Sequence, residues 1–137
     1  MRRDVWLYPE DNLLVEKYYN VVNGEHLNAH DGSLYRQLDN TRQIISLVDL
    51  SEATLFNIDY SEFSELFENF LHRLEGVAIK VALYSGGNDK DDFMKASTFT
   101  KFEGGHVQIE NFVELFDAFN WLELDDKLRQ KIWPTLH

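Results

Sequence analysis

Cysteine is absent from this chain of 137 residues, which excludes a disulfide framework and any cysteine-ligated zinc or iron–sulfur site. Long apolar runs are missing as well. No uncharged stretch approaches the roughly 20 residues that a membrane helix needs, and nothing apolar enough for a signal peptide follows Met1-Arg2-Arg3-Asp4. Cytoplasm is the expected compartment. Positive charge is also scarce: 13 Lys and Arg stand against 24 Asp and Glu, for a formal charge of −11. The basic residues are scattered, so neither nucleic acid nor an anionic membrane surface is an expected partner. The acid surplus reads as a solubility device. No internal repeat, low-complexity tract or linker interrupts the chain, and its length suits one domain, residues 1–137. A domain of this size hides roughly two-thirds of its extended surface, enough for a core without cross-links.

Strand signals open the chain. Val5-Trp6-Leu7-Tyr8 is short and aromatic, Pro9-Glu10-Asp11-Asn12 has turn chemistry, and Leu13–Val22 is dense in β-branched and aromatic residues. Glu16, Lys17 and Asn20 interrupt that second run, which predicts a strand half-exposed to water and paired with the first as a hairpin. Asn23-Gly24 ends it. A weak helical pattern covers Leu27–Leu38, with Gly32 inside. Ile44–Leu50 and Val77–Tyr84 are near-continuous apolar runs, the mark of strands buried on both faces in a parallel sheet.

Helical spacing follows the first of those runs. Asp59 can cap a helix, with Glu62 completing a capping box, and Phe63, Leu66, Phe67, Phe70, Leu71 and Leu74 share one face before Gly76. Asp91–Thr98 reads as a short helix and Val107–Ile109 as a short strand. Asn111 is the expected cap of a helix that turns Phe112, Leu115, Phe116, Phe119 and Leu122 inward. Leu124–Leu136 reads as a last short helix stopped by Pro134. Strands alternating with helices predict an α/β domain with a mostly parallel central sheet, an antiparallel N-terminal hairpin edge and about four helices.

Four segments carry a family resemblance: Val21-Val22-Asn23-Gly24-Glu25-His26-Leu27, Ile45-Ser46-Leu47-Val48-Asp49-Leu50-Ser51, Ile79-Lys80-Val81-Ala82-Leu83-Tyr84 and Ala118-Phe119-Asn120-Trp121-Leu122. In order and spacing they resemble the SpoIIAA-like, or STAS/SEC14-domain, proteins of bacteria. The likeness spans about residues 5–124, leaving 125–137 as a helical tail. It implies a SpoIIAA-like fold and a non-catalytic, regulatory, protein-binding module in the manner of the anti-sigma-factor antagonists, without a cofactor. In those relatives the switch is a phosphorylated serine in a D-S-S-G motif. The matching stretch here is Ile58-Asp59-Tyr60-Ser61-Glu62-Phe63, so Ser61 takes that place, although tyrosine and glutamate replace the flanking serine and glycine.

Candidate sites follow from chemistry and topology. Ligands of open parallel sheets settle outside the carboxyl ends of the strands. Asp49 and Ser51 at one end, with Ser85, Gly86 and Gly87 at another, form a candidate ligand-binding set; the glycines would admit backbone N–H groups close to a polar ligand. That set supports an alternative function, a carrier or sensor of a small molecule or lipid. In the plainer alternative, Asp49 and Ser51 satisfy backbone donors in a turn and Gly86-Gly87 makes a sharp loop. His26 and His30, four apart and near Asp31, have no third histidine close by, so no metal site is expected. His72 and His106 read as exposed. There is no Gly-x-Ser-x-Gly elbow and no phosphate loop, and acidic pairs such as Asp91-Asp92 and Asp125-Asp126 read as solvated. No enzymatic activity is expected. Finally, Leu124, Leu128 and Ile132 step by four beside Trp133, and Trp6, Tyr8, Tyr18 and Tyr19 give the hairpin an aromatic face. The tail stripe must bury on its own sheet or on a second copy, and a homodimer is the expectation.

Overall fold

The computed structural model describes residues 2–22, 35–55, 65, 68, 72, 76–86, 103–104 and 107–136. Its strands are β1 (Arg2–Tyr8), β2 (Leu13–Val22), β3 (Ile44–Leu55), β4 (Ile79–Tyr84), β5 (Glu103–Gly104) and β6 (Val107–Phe112). They form one sheet in the order β1-β2-β3-β4-β6-β5. The β1–β2 pair is antiparallel, β2–β3, β3–β4 and β4–β6 are parallel, and β5 returns antiparallel to β6. The expected hairpin edge and parallel centre are both present, and β5 adds a second antiparallel edge. Among the described residues two α-helices follow the sheet, α1 (Leu115–Trp121) and α2 (Asp126–Leu136). Glu65, Glu68 and His72 are helical and exposed, as the polar side of the helix expected after Asp59 should be. The inward face of that helix, the segment Asp91–Thr98 and most of Leu27–Leu38 lie outside the described residues. At the end of the last segment, Tyr35–Gln37 is a single turn of 3-10 helix, and its Tyr35 is buried.

β3 lies at the centre because its apolar run can be buried on both faces. It pairs with β4 from Ile44↔Ile79 to Asp49↔Tyr84, in parallel, as the two apolar runs predict. Leu14, Tyr18, Ile44, Leu50, Ile79, Val81 and Val107 form a core on one face with Tyr35 and Leu38. Leu13, Val15, Leu47 and Ala82 form another beneath the two helices. Beyond Asp49, among the described residues, the strand pairs with β2 alone, through Val22↔Leu55. Polar residues are tolerated there, which is why β3 outlasts its apolar run and reaches Leu55.

β2 differs from expectation. Leu13 to Tyr18 are all buried, Glu16 and Lys17 included. The charges that suggested water are instead neutralised internally, because β2 is an interior strand flanked by β1 and β3. Tyr18 donates its hydroxyl to Glu16 Oε2 at 3.2 Å, and Arg3 Nη1 lies 3.7 Å from the same oxygen.

The C-terminal helices also depart from the sequence reading. Asn111 is not a cap: it lies in β6, which runs on to Phe112 paired with Tyr84. The helix starts at Leu115 after an extended Glu114 whose side chain makes no capping bond. That three-residue shift turns Phe116 outward, 59% exposed, while Leu115, Ala118, Phe119 and Leu122 face the core. Pro134 does not stop α2, which continues to Leu136. So close to the end, a proline removes only one ladder bond, and the burial of Leu136 holds the last turn in place. Leu124, Leu128, Ile132 and Leu136 pack on the chain's own sheet, so the tail stripe needs no second copy. Asp125 caps α2 by accepting the Leu128 N–H at 2.8 Å.

The hairpin is tied to the sheet centre through Asn12. This residue ends the Pro9–Asp11 turn in the left-handed region, φ 51°, and is 1% exposed. Its Nδ2 donates to the carbonyls of Asp39 and Gln43 at 3.0 Å, its Oδ1 accepts the Asp39 N–H at 2.8 Å, and its own carbonyl accepts the Ile45 N–H at 3.0 Å. One side chain thereby fixes the loop that delivers β3 alongside β2. Asn12→Ala is expected to cost about 3 kcal/mol, from lost buried hydrogen bonds and an alanine forced into the left-handed region. Asn12→Gly should cost about 1 kcal/mol less, since glycine tolerates that backbone. Thermal unfolding checks this, with the alanine variant melting roughly 10 °C below the wild type; a glycine variant less stable than the alanine one would disprove the backbone contribution.

Candidate functional site

Four of the residues read from sequence do come together, but Asp49 and Ser51 lie within β3, which runs on to Leu55, whereas Ser85 and Gly86 follow the end of β4. Asp49 is 1% exposed, pairs with Tyr84 across the sheet, and accepts the Ser51 N–H through Oδ1 at 2.8 Å. Opposite it, β2 advances from Lys17 to Tyr19 while β3 advances from Asp49 to Glu52, so β3 carries one extra residue, a bulge. Asp49 ties down the displaced backbone. Ser85 is buried and bonds to the Phe112 carbonyl through its N–H at 2.9 Å and its hydroxyl at 3.3 Å. Gly86 sits against Ser51: a Cβ added there would lie 2.8 Å from the Ser51 Cβ, and φ is +73°. Both the crowding and the dihedral require glycine. Gly87 and Ser61 lie outside the described residues, as do His26, His30, Asp31 and His106.

Sequence reading missed the cation in this cluster. Lys17, 5% exposed, reaches Glu52 Oε2 at 2.6 Å and Asp49 Oδ2 at 3.8 Å, and donates to the Leu136 carbonyl at 2.6 Å. The last of these is the C-terminal end of α2, where the helix dipole favours a positive charge. Burial alone would lower the Lys17 pKa; the Glu52 hydrogen bond and the Asp49 and Glu52 charges outweigh it, and the pKa lies above the ordinary 10.5. Lys80 of β4 repeats the device. Its ammonium donates to the Trp121 carbonyl at the end of α1 and lies 4.5 Å from the centre of the Trp121 ring. A lysine within an otherwise apolar strand was the available signal. Next to this cluster, burial and the charges of Asp49 and Glu114 push the Tyr84 phenol up.

On the opposite face, Tyr35 and Ser46 share a buried hydrogen bond at 3.1 Å. Burial, then the charge of Glu16, pushes the Tyr18 and Tyr35 phenols well above their usual range.

A different surface carries exposed aromatic side chains. Phe116 of α1 stacks on Trp133 of α2, with ring centres 5.8 Å apart and planes at 25°, and meets Phe119 edge-on at 6.2 Å. Phe116 is 59% exposed, Trp133 42% and Val113, three residues before Phe116, 46%; they are the large hydrophobic residues that remain exposed among those described. The hairpin aromatics, by contrast, are largely used within the chain. Trp6 and Tyr8 pack under the helices, Tyr18 is buried, and Tyr19 lies beneath the Arg2 guanidinium at 4.5 Å. No helix among the described residues is long and apolar enough to cross a membrane.

Replacing Lys17 by methionine strands Asp49 and the end of α2, and a loss of about 3 kcal/mol is expected at neutral pH. Because the folded-state pKa is raised, the stabilisation is present below pH 10.5 and fades as pH rises through the folded pKa. Urea titrations of both chains should give a constant difference from pH 7 to 10 that shrinks above; a difference that grows with pH would contradict the ion pairing.

No family model and no curated protein matches the chain. Solved structures do. The anti-sigma factor antagonist SpoIIAA in its unphosphorylated form aligns over 89% of this chain and 98% of its own, with TM-score 0.51 and 10% identity. An uncharacterized DUF3478-family protein from Shewanella loihica PV-4, described as having a SpoIIAA-like fold, aligns over 88% and 92%, with TM-score 0.51 and 17% identity. The hairpin, the parallel centre and the closing helices thus add up to a known arrangement: this chain has the SpoIIAA-like fold.

Proposed function

We propose that this chain is a non-catalytic, protein-binding regulatory module of the SpoIIAA-like family, acting in the cytoplasm. One observation carries the reading: an aromatic pair, Phe116 on Trp133, is stacked yet exposed, and with Val113 these are the large hydrophobic residues left exposed among those described. Exposed aromatic side chains on a rigid frame are the usual anchors of protein interfaces. The fold likeness to an anti-sigma factor antagonist supports the same class of role. Ser61 belongs to the proposal as the switch position implied by the resemblance.

The alternative of a ligand carrier at the strand ends gains no observation of its own. The polar atoms of Asp49 and Ser85 are engaged by Ser51, Lys17 and Phe112 within the chain. A homodimer is not required to cover the tail stripe, which packs on the chain's own sheet, while Trp6, Tyr8 and Tyr19 of the hairpin stay partly exposed.

Affinity capture from the source cells tests the proposal, comparing wild type with a Phe116→Ser/Trp133→Ser double variant. A stoichiometric protein partner should be retained by the first and lost, at least tenfold, by the second, with melting temperatures within a few degrees of each other. Equal capture by both would remove the aromatic surface from the interface. Intact mass of the native protein, with Ser61 covered in a peptide map, tests the switch; a chain free of phosphate under all growth conditions ends that part.

A further inference from the structure

The segment that carries Phe116 is acidic. From Gln108 to Asp126 the chain carries Glu110, Glu114, Asp117, Glu123, Asp125 and Asp126 and no lysine or arginine. Glu114, Asp117, Glu123, Asp125 and Asp126 are all exposed. Arg129, four residues before Trp133 on α2, is committed to the joint between the helices: it donates to the Leu124 carbonyl at 2.7 Å and to Asn120 Oδ1 at 2.9 Å, and lies over the Phe119 ring at 5.8 Å. Lys131 and Lys127 lie one and two turns before Thr135, whose hydroxyl faces Tyr8 of β1 at 3.4 Å. They therefore stand on the flank of α2 away from Trp133.

We infer that the α1–α2 surface receives a protein segment with an apolar anchor flanked by Lys or Arg, seated on Phe116, Trp133 and Val113 with its cations toward Glu114 and Asp117. This deepens the protein-binding reading above and rests on it. An apolar centre gives the affinity, and the charged rim gives partner selection and association rate. A second copy of this chain fits less well, because each copy carries −11 and would meet an acidic rim with its own. With three exposed apolar residues at the centre, binding in the micromolar range is expected, as for small transient interfaces.

Fluorescence anisotropy with two labelled helical peptides of equal length tests this, one of leucine and lysine, the other of leucine and glutamate. The wild type should bind the lysine peptide saturably and the glutamate peptide at least tenfold more weakly. A Glu114→Lys/Asp117→Lys chain should lose at least tenfold for the lysine peptide, and Phe116→Ser/Trp133→Ser should lose its saturable binding. Equal binding of the lysine peptide by all three chains means unspecific attraction to an acidic protein and overturns the inference. Equal binding of both peptides by the wild type, lost in the aromatic variant, overturns the charge assignment while leaving the docking surface in place. A doubled mass in sedimentation velocity that reverts in the aromatic variant would make the occupant a second copy and overturn it too.

Discussion

From Ile44 to Asp49, β3 has no free backbone edge: β2 takes one side and β4 the other, both in parallel. Both of its faces pack against a core, with Ile44, Ser46, Leu47 and Asp49 buried and Ile45 and Val48 partly so, and a polar group there is best satisfied from within the chain. That constraint explains the polar residues around it. Asn12 closes the loop that leads into the strand, Asp49 supplies the acceptor at the bulge, and Ser46 shares a hydrogen bond with Tyr35. These three side chains are matched inside the protein.

The two buried-side lysines extend this logic to the helices. Lys17 and Lys80 rise from β2 and β4 on the same face, and each meets the carbonyl end of one helix. They fix where α1 and α2 finish, while the αL residue Glu123 and the Asp125 cap fix how one turns into the other. With both ends anchored, the helical hairpin has little freedom to roll. Leu128 and Ile132 must face the sheet, so Trp133 is left on the outer flank, and the start of α1 at Leu115 leaves Phe116 beside it. The exposed aromatic surface is thus a consequence of how tightly the interior is held.

Legibility in the sequence followed the strength of the hydrophobic pattern. The runs Ile44–Leu50 and Val77–Tyr84 and the turn Pro9–Asn12 each have one good physical solution, and the structure uses it, while the step-four stripe of the tail announced that it must be buried without saying against what. Boundaries fared worse. Asn111 has the right chemistry for a cap, yet pairing with Leu83 holds it in β6, a long-range bond that local propensity cannot anticipate. Glu16 and Lys17 read as surface residues because charges in a strand usually face water; their partners Arg3, Tyr18, Glu52 and Leu136 include residues up to 119 positions away. Of the candidate site, the grouping of Asp49, Ser51, Ser85 and Gly86 followed from strand order, whereas the exposed aromatic pair was invisible because Phe116 sits in a pattern that normally points inward and Trp133 only beside one.

Composition and periodicity by themselves determined that this is a cysteine-free, acidic α/β chain with two central parallel strands and a tail that must be covered. Those properties depend on residues within a few positions of each other, and the chain cannot escape them. Which face the tail covers, which charges are buried and which aromatics stay wet were decided only by the tertiary structure. Such choices turn on contacts between distant segments, where a buried charge is tolerable only beside its partner and an exposed ring only where the core beneath is already full.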